Sequence, residues 1–310
     1  MPARPKVSII GAGTVGTAAA HWIASRQLAD VVLVDIIEGL PQGKALDLQQ
    51  AGPIAGFNVQ VTGSNDYGAT ADSAVVVITA GVARKPGMTR EQLIDINAGI
   101  VRGVVEQVTR TSPDAILLVV TNPLDAITYL TYKAAGLPRH RVIGESGALD
   151  STRFRTFLAQ AVGVAPEDVH ALVIGAHTDK DMVPLPRYAT VRGIPVSHFL
   201  APADLEAVVA RTRRGGAEIT ELMKASAFTA PGAAICEMVE AILRDARRLI
   251  PCCVYLDGEY GERDVCVGVP VILGARGVER IVELPLDDAE WAAFRASVAA
   301  VREMLAALKV

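Results

Sequence analysis

The chain has 310 residues, 51% hydrophobic and 5% aromatic, with 30 basic and 34 acidic side chains and a formal charge of −4. That length suffices for a full core and two domains, while the mild negative charge gives no overall attraction to nucleic acid or acidic membranes. No apolar run approaches the roughly 18 residues of a membrane-spanning candidate, and Gly11 and Gly13 break the apolar stretch behind the basic N-terminus, so a signal peptide is not expected and a cytoplasmic location is the default.

A buried strand is expected over residues 7–10. Gly11-Ala12-Gly13-Thr14-Val15-Gly16 follows it directly and opens a helix over 15–24. A lone GxGxxG carries little weight, but the strand before it and the helix after it give it meaning. Gly11 allows the tight turn, Gly13 admits a pyrophosphate to the backbone, and Gly16 lets helix and strand pack closely. The diphosphate then rests on unpaired amides at the positive end of a helix. The second strand, 31–34, runs into Asp35, nineteen residues beyond Gly16. Its carboxylate suits the adenosine ribose hydroxyls and would repel a 2′-phosphate. No Lys or Arg follows in Ile36-Ile37-Glu38, so NAD is expected rather than NADP.

A helix over 41–50 and strands over 59–62 and 74–78 come next. A loop then carries Arg84, Lys85 and Arg90, three cations within seven residues, with Pro86 and Gly87 between them. Two guanidiniums on one mobile loop suit a small substrate that bears both a carbonyl and a carboxylate. A helix is expected over 92–109 and a fifth strand over 116–120. Thr121-Asn122-Pro123 lies at the carboxyl end of that strand, where open parallel sheets bind ligands. The Asn122 amide can hold a nicotinamide or a substrate oxygen, or simply cap the next helix. Strand and helix alternate throughout this half, which implies a parallel sheet covered on both faces.

Near residue 145 the pattern changes without a flexible linker. Helices are expected over 149–162, 204–224 and 233–248, with short antiparallel strands over 252–256, 265–272 and 279–282 and a closing amphipathic helix over 287–308. The fold class expected is α/β, a Rossmann-type parallel sheet over residues 1–145 followed by a mixed α+β substrate domain over 146–310.

Cys236, Cys252, Cys253 and Cys266 show no CxxC spacing and no paired histidines, so no metal site is expected and buried free thiols are. Of the five histidines, His177 stands out, just beyond the apolar run Ala171-Leu172-Val173-Ile174 and before a polar loop. A strand end beside a turn is well suited to aiming a proton carrier, and imidazole titrates in the useful range. Asp150 and Arg153 share one helical face at i and i+3; they are either part of the same cleft or a surface ion pair worth about 0.3–0.5 kcal/mol.

Taken together, the glycine turn, Asp35, residues 84–90, Val120-Thr121-Asn122-Pro123, Asp150-Ser151-Thr152-Arg153 and His177 with Met182-Val183-Pro184 resemble the lactate/malate dehydrogenase family along essentially the whole chain. The chain is most similar to bacterial malate dehydrogenases that are lactate-dehydrogenase-like in sequence. The resemblance implies NAD-dependent, reversible oxidation of (S)-malate to oxaloacetate, a reaction of the tricarboxylic acid cycle. It implies that His177 takes the hydroxyl proton, that Asp150 orients the imidazole and stabilises its charged form, and that Arg153 grips the C1 carboxylate. Arg90 would polarise the carbonyl from a closing loop, and Asn122 would orient substrate and cofactor. Gly11, Ala12, Gly13, Thr14, Val15, Gly16, Asp35, Asn97, Val120 and Thr121 would contact the cofactor, Asn97 on the strength of the resemblance only. Arg84 would read the second carboxylate, where lactate dehydrogenases carry Gln. A homotetramer or homodimer is implied too.

Thr178-Asp179-Lys180-Asp181 departs from the family pattern by one extra residue before Met182, expected to bulge outward. Two rival readings are a lactate or other 2-hydroxyacid dehydrogenase, against which Arg84 argues, and an NAD-sensing protein without turnover, which should have lost part of the proton relay. A nucleic-acid role lacks a basic patch or aromatic array.

Overall fold

The structure is a computed structural model that describes residues 4–83 and 87–308, with Arg90 described in its backbone only. The first half contributes strands β1 (Lys6–Ile10), β2 (Asp30–Val34), β3 (Val61–Ser64), β4 (Val75–Ile78), β5 (Ile116–Val119) and β6 (Val142–Gly144), with helices α1 (Thr14–Ser25), α2 (Leu40–Ala55), α3 (Arg90–Thr111) and α4 (Leu124–Ala135). These strands lie parallel in the order β3-β2-β1-β4-β5-β6. Val7 faces Val31 on one side and Val75 on the other. Every residue of β4 and β5 is buried, as expected for strands covered on both faces. Burial of each such side chain contributes about 1.5–3 kcal/mol. The chain order reverses between β1 and β4, and at such a switch point the strand ends open a crevice.

The second half adds α5 (Gly147–Val162), strands β7 (Val169–His170), β8 (Val173–Gly175), β9 (Met182–Pro184), β10 (Thr190–Val191) and β11 (Ile194–Pro195), then α6 (Pro202–Met223), α7 (Thr229–Leu243), β12 (Arg248–Asp257), β13 (Arg263–Gly274), β14 (Gly277–Ile281) and α8 (Asp288–Ala306). The expected antiparallel meander is present: β12 pairs with β13, and β13 with β14 and β8. β7, β10 and β11 form a separate small antiparallel sheet. That the parallel and antiparallel strands join was not expected from the sequence. Gly144 of β6 pairs with Cys253 of β12, making one continuous eleven-stranded sheet among the described residues. A Cβ at Gly144 would lie 2.5 Å from Thr128 Oγ1 and 2.9 Å from Cys253 Cβ, so the join tolerates no side chain there. A second apolar cluster, centred on Phe154, Leu158, Val169 and Met182, packs α5 and α6 against the small sheet.

Several boundaries differ from expectation for identifiable reasons. α7 ends at Leu243 rather than at 248, because Asp245 and Arg247 adopt left-handed backbone (φ 45° and 49°) and Arg248 already opens β12. α2 continues to Ala55 and is stopped by Gly56 at φ 78°, the usual glycine terminator. β3 begins at Val61 rather than 59, since the Gln49 amide occupies both Val59 O and Val61 N–H. α3 starts at Arg90 because Thr89 caps it, in a reciprocal capping box with Gln92. All four cysteines are buried and free, as expected.

Candidate active site

The glycine turn lies at the switch point. Gly11 has φ 110°, a backbone that L side chains rarely adopt, and a Cβ at Gly16 would fall 2.0 Å from Gly11 O. The first and third glycines are therefore required by the turn and by the approach of α1. Gly13 caps α1 with no side-chain bond, no acid sits in the first helical turn, and a Cβ at Gly13 would meet nothing within 4 Å. Gly13 and Thr14 are exposed. The amides at the start of α1 thus open onto free space, and the turn fits a dinucleotide diphosphate. Asp35, at the end of β2, accepts Ala12 N–H at 2.7 Å and Ile37 N–H at 3.0 Å. Its carboxylate fixes the turn as well as standing beside it.

At the neighbouring strand ends, Thr121 Oγ1 donates to Ala80 O at 2.7 Å and pins β5 to the segment after β4. Val120 N–H and Thr121 N–H both reach Ile78 O. Asn97 is 1% exposed; its Oδ1 accepts Val82 N–H at 2.8 Å and its Nδ2 donates to Asn122 O at 2.6 Å. Its amide therefore holds the backbone of the strand ends, a positioning job that the sequence did not reveal. Asn122 is exposed, and it does not cap α4: Pro123 occupies the cap position and no side-chain cap bond forms.

The second half supplies the titrating groups. Asp150 lies in the first turn of α5 with its side chain 2% exposed. Its Oδ2 is 2.8 Å from His177 Nδ1, and its Oδ1 accepts from Arg153 Nη1 at 3.0 Å. The surface-pair alternative for Asp150 and Arg153 is therefore excluded. One carboxylate joins both cations, and His177 is left with Nε2 for chemistry. Arg153 Nη1 keeps a second hydrogen and Nη2 stays unspent on Asp150, enough to grip another carboxylate. The His177 backbone N–H is held by Asp125 Oδ2 at 2.8 Å. Burial works against the imidazolium of His177, yet the charge and hydrogen bond of Asp150, with Glu145 adding to them, push its pKa up to about 9. Burial also pushes Asp125 up to about 6, against the hydrogen bond from His177.

Sequence reasoning missed Asp125 and Glu145. The signal for Asp125 was a carboxylate in the first turn of α4, two residues after Pro123; for Glu145 it was an acid placed straight after the apolar strand end Val142-Ile143-Gly144. Arg84, Lys85 and Pro86 lie outside the described residues, as does the Arg90 side chain. The Arg90 backbone opens α3, so this cation belongs to a helix start and not to the loop itself. The turn after His177 projects outward: Asp179 and Lys180 are exposed, and Thr178 and Asp181 close it with bonds of 2.7 and 3.0 Å. A cavity of about 260 Å³ beside Arg139, His140 and Glu259 lies at the opposite, amino end of β6 and holds none of these groups. Among the described residues no cluster of His, Cys, Asp or Glu could hold a metal ion, and no helix is long and apolar enough to cross a membrane.

Residues 5–144 match the family model of the lactate/malate dehydrogenase NAD binding domain, and residues 147–309 that of the alpha/beta C-terminal domain. A malate dehydrogenase from Desulforudis audaxviator is 58% identical over 308 residues, 99% of each chain. The solved malate dehydrogenase from Salinibacter ruber is 50% identical with a TM-score of 0.94, over 98% of this chain and 97% of that one. The lactate dehydrogenase from Cryptosporidium parvum, solved with lactic acid and β-nicotinamide adenine dinucleotide, is 39% identical with a TM-score of 0.95, over 99% and 98%.

Proposed function

Because this chain belongs to the lactate/malate dehydrogenase family, we propose that it interconverts (S)-malate and oxaloacetate with NAD, residues 1–145 holding the cofactor and 146–310 the substrate. The buried chain from Arg153 through Asp150 to His177 carries this reading. NAD, when bound, supplies the acceptor for the hydride that leaves the substrate carbon.

The remaining work falls to the protein. His177 Nε2 takes the hydroxyl proton in the oxidation and returns it in the reduction. Asp150 fixes the imidazole through Nδ1 and offsets its positive charge. Arg153 holds the C1 carboxylate, a planar fork that Lys does not reproduce. Arg90 polarises the carbonyl and stabilises the developing oxyanion, and Asn122 orients both reactants. Arg84 reads the distal carboxylate. Asn97 supports the site through Asn122 rather than alone. The resemblance also implies a homo-oligomer.

Steady-state NADH oxidation with oxaloacetate, pyruvate and 2-oxoglutarate side by side tests the assignment. Oxaloacetate should give by far the highest kcat/KM, and turnover of none of the three would favour an NAD sensor. Cofactor choice is a separate expectation. Asp35→Ser removes the charge that repels a 2′-phosphate, and the NADH-to-NADPH ratio of kcat/KM should fall about 10- to 100-fold, the scale of a charge-assisted bond. Because Asp35 also anchors Ala12 N–H, activity with NADH should fall as well. A native chain that already prefers NADPH contradicts the role given to Asp35.

A further inference from the structure

We propose that Glu145 is a positioning acid for the His177–Asp150 pair, a second carboxyl group whose charge state governs how firmly His177 keeps its proton; this rests on the dehydrogenase reading above. Glu145 follows β6, donating its N–H to Val119 O at 3.0 Å and accepting Ala148 N–H at 3.1 Å on its carbonyl. The backbone is thus locked on both sides of the residue. The residue is 3% exposed, and Oε1 is buried without a hydrogen-bond partner. A buried carboxyl left in that state is costly, and an apolar side chain would fill the place without the penalty.

The turn that carries it is pressed against the strand that presents His177. A Cβ at Gly147 would lie 2.5 Å from Val173 O, and one at Gly268 would sit 2.6 Å from Gly175 O and 2.8 Å from Ser146 Oγ. Glu145, just before α5, and Asp150, in its first turn, therefore stand five residues apart beside β8. The groups that act on Glu145 are His177 from the β8–β9 loop and Asp150 and Arg153 from α5. Cys252 of β12 feels it too, as a buried thiol that stays neutral. Asp125 of α4 accepts the His177 backbone N–H and is itself influenced by the imidazole.

Burial pushes the Glu145 carboxyl up to about 8, with Asp150 adding to the effect and His177 and Arg153 opposing it. Near neutrality Glu145 is protonated and leaves the pair to itself. As pH rises it ionises, and the new negative charge reinforces the imidazolium. The protonated His177 that oxaloacetate reduction needs therefore persists to higher pH than Asp150 alone would allow. Malate oxidation, which needs the neutral ring, gains activity only at correspondingly higher pH.

The test is Glu145→Gln, the neutral isostere of the protonated acid, followed by NMR titration of histidine-labelled protein without substrate. The His177 midpoint should fall by about one pH unit, and the alkaline limb of kcat/KM for oxaloacetate should move with it. Below pH 7 the variant should match the parent in activity, because both side chains are then uncharged. A folded variant with an unmoved His177 midpoint overturns the proposal. If Glu145→Gln does not fold, the Glu145 carboxyl resonance of the parent protein decides: it should titrate above pH 7 together with an inflection in His177, and a carboxyl already ionised at pH 6 overturns the proposal. Since the titration needs no turnover, its failure is separate from failure of the malate assignment.

Discussion

His177→Asn is expected to lower kcat for oxaloacetate reduction by about 10²–10⁴-fold, the usual share of a positioned general acid, while NADH binding changes little. The cofactor turn lies in the other half of the molecule and none of its bonds involves His177. Asn retains an amide N–H that can serve Asp150 Oδ2 in place of Nδ1, and Arg153 still holds Oδ1 at 3.0 Å. Asp150 therefore does not become an uncompensated buried charge, and the thermal midpoint should stay close to that of the parent. What disappears is the group that can carry a proton. Single-turnover rates and fluorescence titration of NADH separate the two effects. A variant that keeps kcat within about tenfold would move the proton transfer to another residue, since that loss is below the usual range.

Arg84→Gln should carry the largest change in specificity. On the proposed reading the Arg84 guanidinium answers a second carboxylate; with pyruvate it would stand unpartnered, which is costly. Gln removes that cost and also the partner that oxaloacetate needs. Sites built around one polar partner discriminate by as much as about 10⁴, so the oxaloacetate-to-pyruvate ratio of kcat/KM should fall by a factor approaching that. The KM for oxaloacetate should rise while that for pyruvate falls. Arg84 lies outside the described residues, so the expectation rests on the resemblance and on charge pairing. A ratio left unchanged removes Arg84 from substrate selection and returns the question to residues elsewhere in the cleft.

The glycine turn, Asp35 and the parallel strands were legible because their signals are local: a strand, a turn and a helix in uninterrupted succession. His177, Asp150 and Arg153 were legible as types and spacings, but their union through one buried carboxylate was not, because 27 residues separate Asp150 from His177. Asn97 shows the same limit. Its bonds span 15 and 25 residues to backbone atoms, and nothing in a helical pattern announces that an amide will hold a strand end. β6 is three residues long, too short for alternation or composition to declare it. Glu145 was legible only as an acid after a short apolar run, since the elements that bury it lie elsewhere along the chain. The overlong α7 came from reading apolar periodicity through Asp245 and Arg247, where tertiary packing imposes left-handed backbone that non-glycine residues seldom signal.

The pairing of Gly144 with Cys253 also bears on how the protein can be divided. The proposed roles put the cofactor in one half and the proton in the other, which invites separation near residue 145. Cutting there would strip β6 of its neighbour β12 and present an open row of amides and carbonyls beside the buried Val142 and Ile143. Such a bare apolar strand recruits other chains, so the isolated first half should self-associate. The halves are distinct as chemistry and inseparable as a folded sheet.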